Sequence, residues 1–225
     1  MPLATFYFQL HQPFRLHPDR DKFLWDENNR EIFRKVSGKS YLPATRMFTG
    51  LITDNPGFKI AVSMSGIFLE QAQAYQPEVI KCLQELLDAG KAAGQVEFLE
   101  ETYYHSLSSL FDDPERLEFR DQVSLHRTKM EEVFGIEPSC FRNTELMYNN
   151  EIADVVADMG FKAMLCEKRD DMYGLKDGKP VSPNAVFRAK NSGLIVIPRN
   201  RELSDDIAYR LPHTPISAEH YAWSI

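Results

Sequence analysis

The segment YLPATRMFTGLITDNPGFKIAVSM, Tyr41 to Met64, contains the pattern that decides the fold class. Its first part carries apolar side chains at helical spacing and stops at Asn55-Pro56-Gly57, residues typical of a turn. The run KIAVSM, Lys59–Met64, then predicts a buried strand, because it is short, apolar and preceded by turn residues. A similar run, ATFYFQL, lies upstream at Ala4–Leu10, so the sequence predicts a strand, a helix and a second strand.

The same alternation continues along the chain. Amphipathic helices are predicted over 77–94, 114–135 and 150–159, with Pro114 in the first turn of the second helix. Short apolar runs at 95–100, 139–142 and 161–166 predict strands, 186–198 predicts a hairpin, and turns are predicted at Asp177-Gly178 and Ser182-Pro183. Strands separated by helices of this length predict a parallel sheet with right-handed crossovers, open or closed into a barrel.

Domain organisation is predicted from what the sequence lacks between these elements. No repeat, low-complexity stretch or linker divides the chain, so we expect a single domain over residues 1–225. The last segment has Ser217 placed as the N-cap of a helix, and the sequence stops at Ile225 after barely two turns. Because such a short helix is marginally stable, we expect the chain to be cut inside an element.

Composition limits the class of partner. The 225 residues carry a net charge of -7 and contain no Lys/Arg run, so we expect no nucleic-acid partner. A neutral or cationic small substrate fits better. The sequence shows neither a signal peptide nor a long apolar stretch, and we therefore expect a cytoplasmic protein with no membrane partner. The three cysteines lack CxxC spacing and are expected to be buried apolar side chains.

Polar side chains collect where the predicted strands end. In parallel α/β folds these exits form the ligand-binding edge, and a barrel would bring them to one mouth. The exits carry the following residues: Gln9, His11 and Gln12; Glu100, Glu101, Tyr103, Tyr104 and His105; Asn143, Thr144, Glu145 and Tyr148; and Glu167. Carboxylates, amides and aromatic rings in one place favour a carbohydrate ligand, since aromatic faces pack against the CH-rich face of a sugar.

Each of these residues also has a structural interpretation, which remains open at this point. His11 could be a structural hydrogen bonder, as histidines often are. Glu97 alternates with apolar neighbours and could lie on the solvent side of an edge strand. Glu100 and Glu101 could begin a helix, where the macrodipole favours carboxylates.

Four segments taken together and in order, LHQPFRL, GQVEFLEETYYHSL, FRNTELMY and RELSDDIAYR, resemble glycoside hydrolase family 57, and specifically its α-amylase-like members. The resemblance runs from the first predicted strand to the last residues. It implies an α/β fold, an incomplete (β/α)7 barrel, of which this chain would contain about six strands. It also implies an enzyme that acts with retention on α-glucans or maltooligosaccharides and needs no metal or other cofactor.

The resemblance implies roles for individual residues. Glu145 of NTEL would be the catalytic nucleophile, and Arg142 and Asn143 would orient it; a nearby cation would also keep the carboxylate ionised. Alternatively, Arg142 and Glu145 could form only a structural ion pair. The substrate-binding residues implied are His11, Gln12, Glu97, His105, Arg142 and Asn143.

One part of the family pattern is not matched. The acid/base of the family is an aspartate on a strand after the LSDD segment, and Asp205 and Asp206 match LSDD rather than that motif. We therefore expect the chain by itself to be inactive or nearly so, because glycosyl transfer would lack acid assistance worth about 10²- to 10⁴-fold. An exposed edge of the incomplete sheet would favour oligomers.

Two rival functions stay open. One is a non-catalytic family relative that binds glucan. The other is a metal-dependent polysaccharide deacetylase with His11, His105 and Asp205 as ligands, although the sequence has no His-x-x-x-His pair and no early Asp-Asp motif.

Overall fold

The computed structural model describes residues 4–19, 21–168, 182–211 and 213–225. The chain divides into two compact units, Thr5–Pro138 and a second unit that contains Ser139–Ile225. The prediction of one domain over the whole chain stays a prediction.

The unit Thr5–Pro138 is built on a parallel sheet of three strands in the order β1-β2-β3. The strands are β1 (Phe6–Leu10), β2 (Ile60–Met64) and β3 (Val96–Leu99). Phe8, Val62 and Phe98 share one row of the register and pack into the apolar core. Because side chains alternate along a strand, the residues directly before and after each of these three point to the other face of the sheet.

Five α-helices surround this sheet among the described residues of the unit: α1 (Asp26–Val36), α2 (Leu42–Asp54), α3 (Gly66–Tyr75), α4 (Glu78–Lys91) and α5 (Leu117–Phe134). A π-helical turn, Ser37–Tyr41, joins α1 to α2. The largest fully buried side chains of the core include Phe33 on α1, Phe68 on α3 and Leu83 on α4. The strand, helix and strand predicted around Tyr41–Met64 are confirmed.

The start of α5 differs from the prediction. The helix begins at Leu117, not in the turn that contains Pro114. Arg116 has a left-handed φ of 55°, and Asp113 Oδ2 accepts a hydrogen bond from the Leu117 backbone N–H at 2.6 Å. Because the left-handed residue interrupts the helical backbone, the proline turn stays outside the helix. Gly135 ends α5 with φ 64°, as expected.

Helices α1 and α3 were not predicted. Helix α3 is buried on almost every face, so its sequence GIFLEQAQAY lacks the apolar stripe that a half-exposed helix shows. Helix α1 buries only two side chains, Asn29 and Phe33, and its first turns are strongly polar. In both helices tertiary packing, and not the period of the sequence, determines the structure.

The second unit contains a sheet of four strands in the order β4-β5-β7-β6. The strands are β4 (Cys140–Arg142), β5 (Ala163–Glu167), β6 (Phe187–Arg188) and β7 (Ile195–Arg199). Strands β4, β5 and β7 are parallel, and β6 pairs antiparallel with β7, which confirms the predicted hairpin. The predicted turn at Asp177-Gly178 lies outside the described residues.

The α-helices among the described residues of this unit are α6 (Asn150–Asp158), α7 (Arg201–Asp205) and α8 (Ala218–Ser224), and a π-helical turn, Asp206–Arg210, follows α7. The predicted cap of α8 is confirmed, because Ser217 Oγ accepts the His220 backbone N–H at 3.1 Å. Parallel strands alternating with helices confirm the α/β class. None of the helices in the described ranges has the length and apolar content needed to span a lipid bilayer.

Candidate active site

The face of the first sheet opposite the core carries polar side chains. Tyr7, Gln9, Ser63 and Glu97 occupy alternating positions on it, and the Tyr7 hydroxyl lies 2.8 Å from Ser63 Oγ. Glu97 is exposed, whereas its neighbours on β3 are buried. Strand β3 is also an edge strand of this sheet, so the position of Glu97 fits both the substrate-binding and the solvent-side interpretation.

His11 follows β1 and is held by a serine at the end of β2. Its Nδ1 lies 2.8 Å from Ser65 Oγ, and Ser65 also caps α3 by accepting the Phe68 backbone N–H at 3.3 Å. A hydroxyl that accepts from a backbone amide has its own hydrogen to donate, which favours a tautomer of His11 with an accepting Nδ1. The ring proton is then on Nε2, where it can donate to a hydroxyl.

Gln12 and the backbone after it are fixed by two buried amides. Gln71 Nε2 donates to the Gln12 carbonyl at 2.6 Å. Asn29 Oδ1 accepts the Arg15 backbone N–H at 2.8 Å, and its Nδ2 donates to the Arg15 carbonyl at 3.2 Å. Arg15 in turn donates to Gln12 Oε1 at 3.1 Å. Buried side chains from α1 and α3 therefore determine the path of the HQP segment.

His105 lies beside His11 although it follows β3. The ring centroids are 4.3 Å apart with planes tilted by 33°. His105 Nδ1 lies 3.0 Å from Gln9 Nε2 and 3.4 Å from Oε1 of the buried Glu101. The structure thus brings two of the predicted binding residues together and surrounds them with an amide and a carboxylate.

The remaining predicted residues, Arg142, Asn143 and Glu145, lie in the second unit, at the end of β4. Arg142 and Asn143 are buried and Glu145 is exposed. Asn143 Oδ1 accepts the Thr144 backbone N–H at 2.9 Å, and Asn143 Nδ2 donates to the Met147 carbonyl at 3.1 Å. Asn143 therefore holds both ends of the short turn that presents Glu145.

The backbone of that turn is strained. Glu145 and Leu146 both have φ 54°, a left-handed conformation that costs a residue other than glycine about 1–3 kcal/mol. Four such non-glycine residues occur among the described residues, and two of them are the predicted site residues Glu145 and His105. Strain that surrounding contacts maintain at a carboxylate is typical of a functional position.

Both aspartates of LSDD form ion pairs. Asp205 Oδ1 accepts from Arg199 Nη2 at 2.5 Å, and the same guanidinium binds Glu167 at 2.9 Å. Asp206 Oδ1 accepts from Arg210 at 2.5 Å. Both aspartates therefore face guanidinium groups of neighbouring arginines. Among the described residues, no three His, Cys, Asp or Glu side chains are grouped so that they could hold a metal ion.

Residues 5–223 match the family described as glycosyl hydrolase family 57. The chain belongs to this family. A Methanocaldococcus jannaschii protein named "Putative alpha-amylase" is 36% identical over an alignment of length 233. That alignment covers 98% of this chain and 47% of the relative, so the chain spans about half the length of that protein.

Solved structures of family 57 enzymes share the fold. The 4-alpha-glucanotransferase from Thermococcus litoralis has a TM-score of 0.67 at 17% identity, covering 93% of this chain and 29% of that one. A GH57 branching enzyme from Thermococcus kodakaraensis has a TM-score of 0.66 at 16% identity, covering 90% of this chain and 48% of that one. These likenesses confirm the predicted fold class, that of the family's (β/α)7-barrel enzymes.

Several residues that support the family 57 motifs were missed by the sequence analysis: Asn29, Ser65 and Gln71. They lie on or at the start of α1 and α3, the two helices that the sequence did not predict. Ser65 carries the one usable signal, a serine directly after a strand, which is a common N-cap position. The buried amides have no such signal, because their partners lie far away in the sequence.

Proposed function

We propose that this family 57 chain forms the nucleophile-bearing part of an enzyme that cleaves or transfers α-glucan bonds with retention, with Glu145 as the nucleophile. The observation that carries the proposal is the exposed Glu145 carboxylate on a strained turn held by Asn143. The names of the relatives, an alpha-amylase, a 4-alpha-glucanotransferase and a branching enzyme, support an α-glucan as the substrate class.

The reaction would take two displacements. The Glu145 carboxylate attacks the anomeric carbon while the bond to the leaving sugar oxygen breaks, and that oxygen receives a proton from a separate carboxylic acid. In retaining enzymes the two carboxyl groups are about 5 to 5.5 Å apart. In the second step the acid, now deprotonated, acts as a base. It takes a proton from a water or a sugar hydroxyl, whose oxygen displaces Glu145 and restores the original anomeric configuration. We assign the acid/base role to no residue of this chain.

Binding would use the polar groups of the amino-terminal unit. With its ring proton on Nε2, His11 can donate to a sugar hydroxyl, and the exposed Glu97 carboxylate can accept from one. We propose His11, Gln12, Glu97 and His105 as the substrate-binding groups contributed by this unit. Arg142 and Asn143 would orient the nucleophile in the other unit, Arg142 by its charge and Asn143 by its hydrogen bonds to the turn.

The first test is Glu145→Gln in the full-length protein. Turnover of a maltooligosaccharide should be lost, while the far-ultraviolet circular dichroism and the melting temperature should stay close to those of the parent. Glu151→Gln, an exposed carboxylate on α6, is the matched control and should keep full activity. Near-parental turnover by Glu145→Gln would overturn the assignment.

A second measurement separates a nucleophile from a residue that only binds. In Glu145→Gly, azide should attack the anomeric carbon of α-glucosyl fluoride in place of the missing carboxylate, with fluoride as the leaving group. The product expected is a glucosyl azide of inverted, β configuration, because one displacement inverts the centre and two retain it. If the protein binds glucan but gives no azide product, the result would support the non-catalytic alternative.

A further inference from the structure

A buried histidine on α5 contacts the ends of two neighbouring strands. His126 is fully buried, and its Nε2 donates to the Met64 carbonyl at 2.7 Å. Its Nδ1 contacts the carboxylate of Glu100, which is fully buried as well. Met64 is the last residue of β2, and Glu100 directly follows β3. With both ring nitrogens engaged, the imidazole cannot rotate without losing a contact.

The residues next to these two contacts hold the candidate binding histidines. Ser65 follows Met64 and contacts His11 Nδ1 at 2.8 Å. Glu101 follows Glu100 and lies 3.4 Å from His105 Nδ1. At the end of each strand, the residue that His126 contacts is therefore followed directly by a residue that contacts His11 or His105. A shift of either strand end would move the corresponding histidine.

Charged groups lie close to the imidazole. Glu100 and Glu101 are consecutive and both fully buried, and the charge of Arg127 also acts on Glu100. Burial disfavours the cationic form of His126, but the Glu100 and Glu101 carboxylates and the Met64 carbonyl outweigh it and raise the His126 pKa. Burial also raises the Glu100 pKa, against the opposing effect of His126. Both pKa shifts favour the protonated form of the group concerned.

We propose that His126, together with Glu100, is a positioning residue that sets the places of His11 and His105, and this inference rests on the proposed function of those two histidines. The other interpretation is a buried histidine that is only satisfied and stabilising, which is common in protein cores. The two interpretations predict different effects of replacing His126 at temperatures where the protein is folded. If His126 only stabilises the protein, its replacement leaves the geometry of the folded site unchanged. If His126 positions the two histidines, its replacement changes that geometry.

The experiment compares His126→Gln with Met130→Ala in the full-length protein. Met130 is fully buried one turn further along α5 and packs in the apolar core, so its replacement destabilises the same helix but leaves the His126 contacts with Met64 and Glu100 in place. For each variant, histidine side-chain NMR reports the tautomers and environments of His11 and His105, and kinetics with a maltooligosaccharide give kcat/KM. All measurements are made at a temperature where both variants are fully folded.

We expect His126→Gln to change the ring signals of His11 and His105 and to lower kcat/KM by about 10- to 100-fold, since a displacement of about 1 Å can cost about 10²-fold. Met130→Ala should leave both readouts at the parental values. The proposal is overturned if His126→Gln melts earlier but matches Met130→Ala in the NMR signals and in kcat/KM.

A second variant covers the case in which His126→Gln does not fold. Glu100→Gln keeps the shape of the side chain and a hydrogen bond to the imidazole but removes the carboxylate charge. It should change the His105 ring signals, and unchanged signals would count against the proposal. Because the NMR readout needs no turnover, it tests the positioning role even if Glu145→Gln were to remain active and the proposed function were to fail.

Discussion

Asn143 is the residue that maintains the strained turn of the proposed nucleophile. Its side-chain hydrogen bonds to the Thr144 N–H and the Met147 carbonyl enclose the left-handed Glu145 and Leu146. The family resemblance implies that Asn143 orients Glu145, and this role stays a proposal. The structure provides a means for this through the backbone of the turn.

Replacing Asn143 by Ala should therefore lower kcat while changing KM little. The variant loses both hydrogen bonds of a fully buried side chain, for which we expect a destabilisation of about 1–3 kcal/mol in the free energy of unfolding. Denaturant unfolding and steady-state kinetics on the full-length protein measure the two effects.

Asn149→Ala is the control for this change. Asn149 Oδ1 accepts the Ile152 backbone N–H at 2.7 Å and caps α6, so its loss should cost about 1 kcal/mol of stability. The activity of the Asn149→Ala variant should equal that of the parent protein. Equal kinetic losses in the two asparagine variants would contradict a specific role for Asn143.

At the scale of an element, α3 supports the HQP segment and packs closely against the chain after β3. Gly66 in its first turn faces the ring of Tyr103, whose hydroxyl donates to Glu70 of the same helix at 2.5 Å. A Cβ atom at Gly66 would lie 2.4 Å from ring carbons of Tyr103. Only glycine permits this approach, and Tyr103 lies two residues before His105.

Gly66→Ala should therefore destabilise the protein by about 1–3 kcal/mol, because the added methyl group forces the Tyr103 ring or the helix to move. Gly50→Ala in α2 is the matched control, since nothing lies within 4 Å of a Cβ there. That control should gain about 0.5–1 kcal/mol from the better helix former. Thermal unfolding of both variants checks the prediction, and a Gly66→Ala protein as stable as the parent would refute the close contact.

At the scale of the whole molecule, the cysteines report on how the two units unfold. Cys82 lies in Thr5–Pro138, and Cys140 and Cys166 lie in the second unit; all three are buried. Burial, followed by the charge of Glu167, raises the pKa of the Cys166 thiol to about 12. Few thiolates form at neutral pH, so alkylation of this residue in the native state should require unfolding.

We expect the three thiols to become reactive at the same denaturant concentration, because the sequence has no linker and is predicted to form a single domain. Pulsed alkylation across a urea series, with mass spectrometry to locate the label, gives a midpoint for each cysteine. A midpoint for Cys82 that differs from a shared midpoint of Cys140 and Cys166 would show that the units unfold separately.

The sequence by itself determined the helices with a strong hydrophobic period, such as α2 and α4, the strand β2 with its short apolar run, and the family, because these signals are local in the chain. It also pointed to Glu145 through a short motif. Only the tertiary structure decided that α3 is a helix buried on almost all sides, that Glu145 is left-handed, and that His126 joins the ends of β2 and β3. The burial of α3 and the contacts of His126 depend on residues far apart in the sequence, and the turn at Glu145 depends on the hydrogen bonds of one buried asparagine; none of these leaves a periodic or compositional trace.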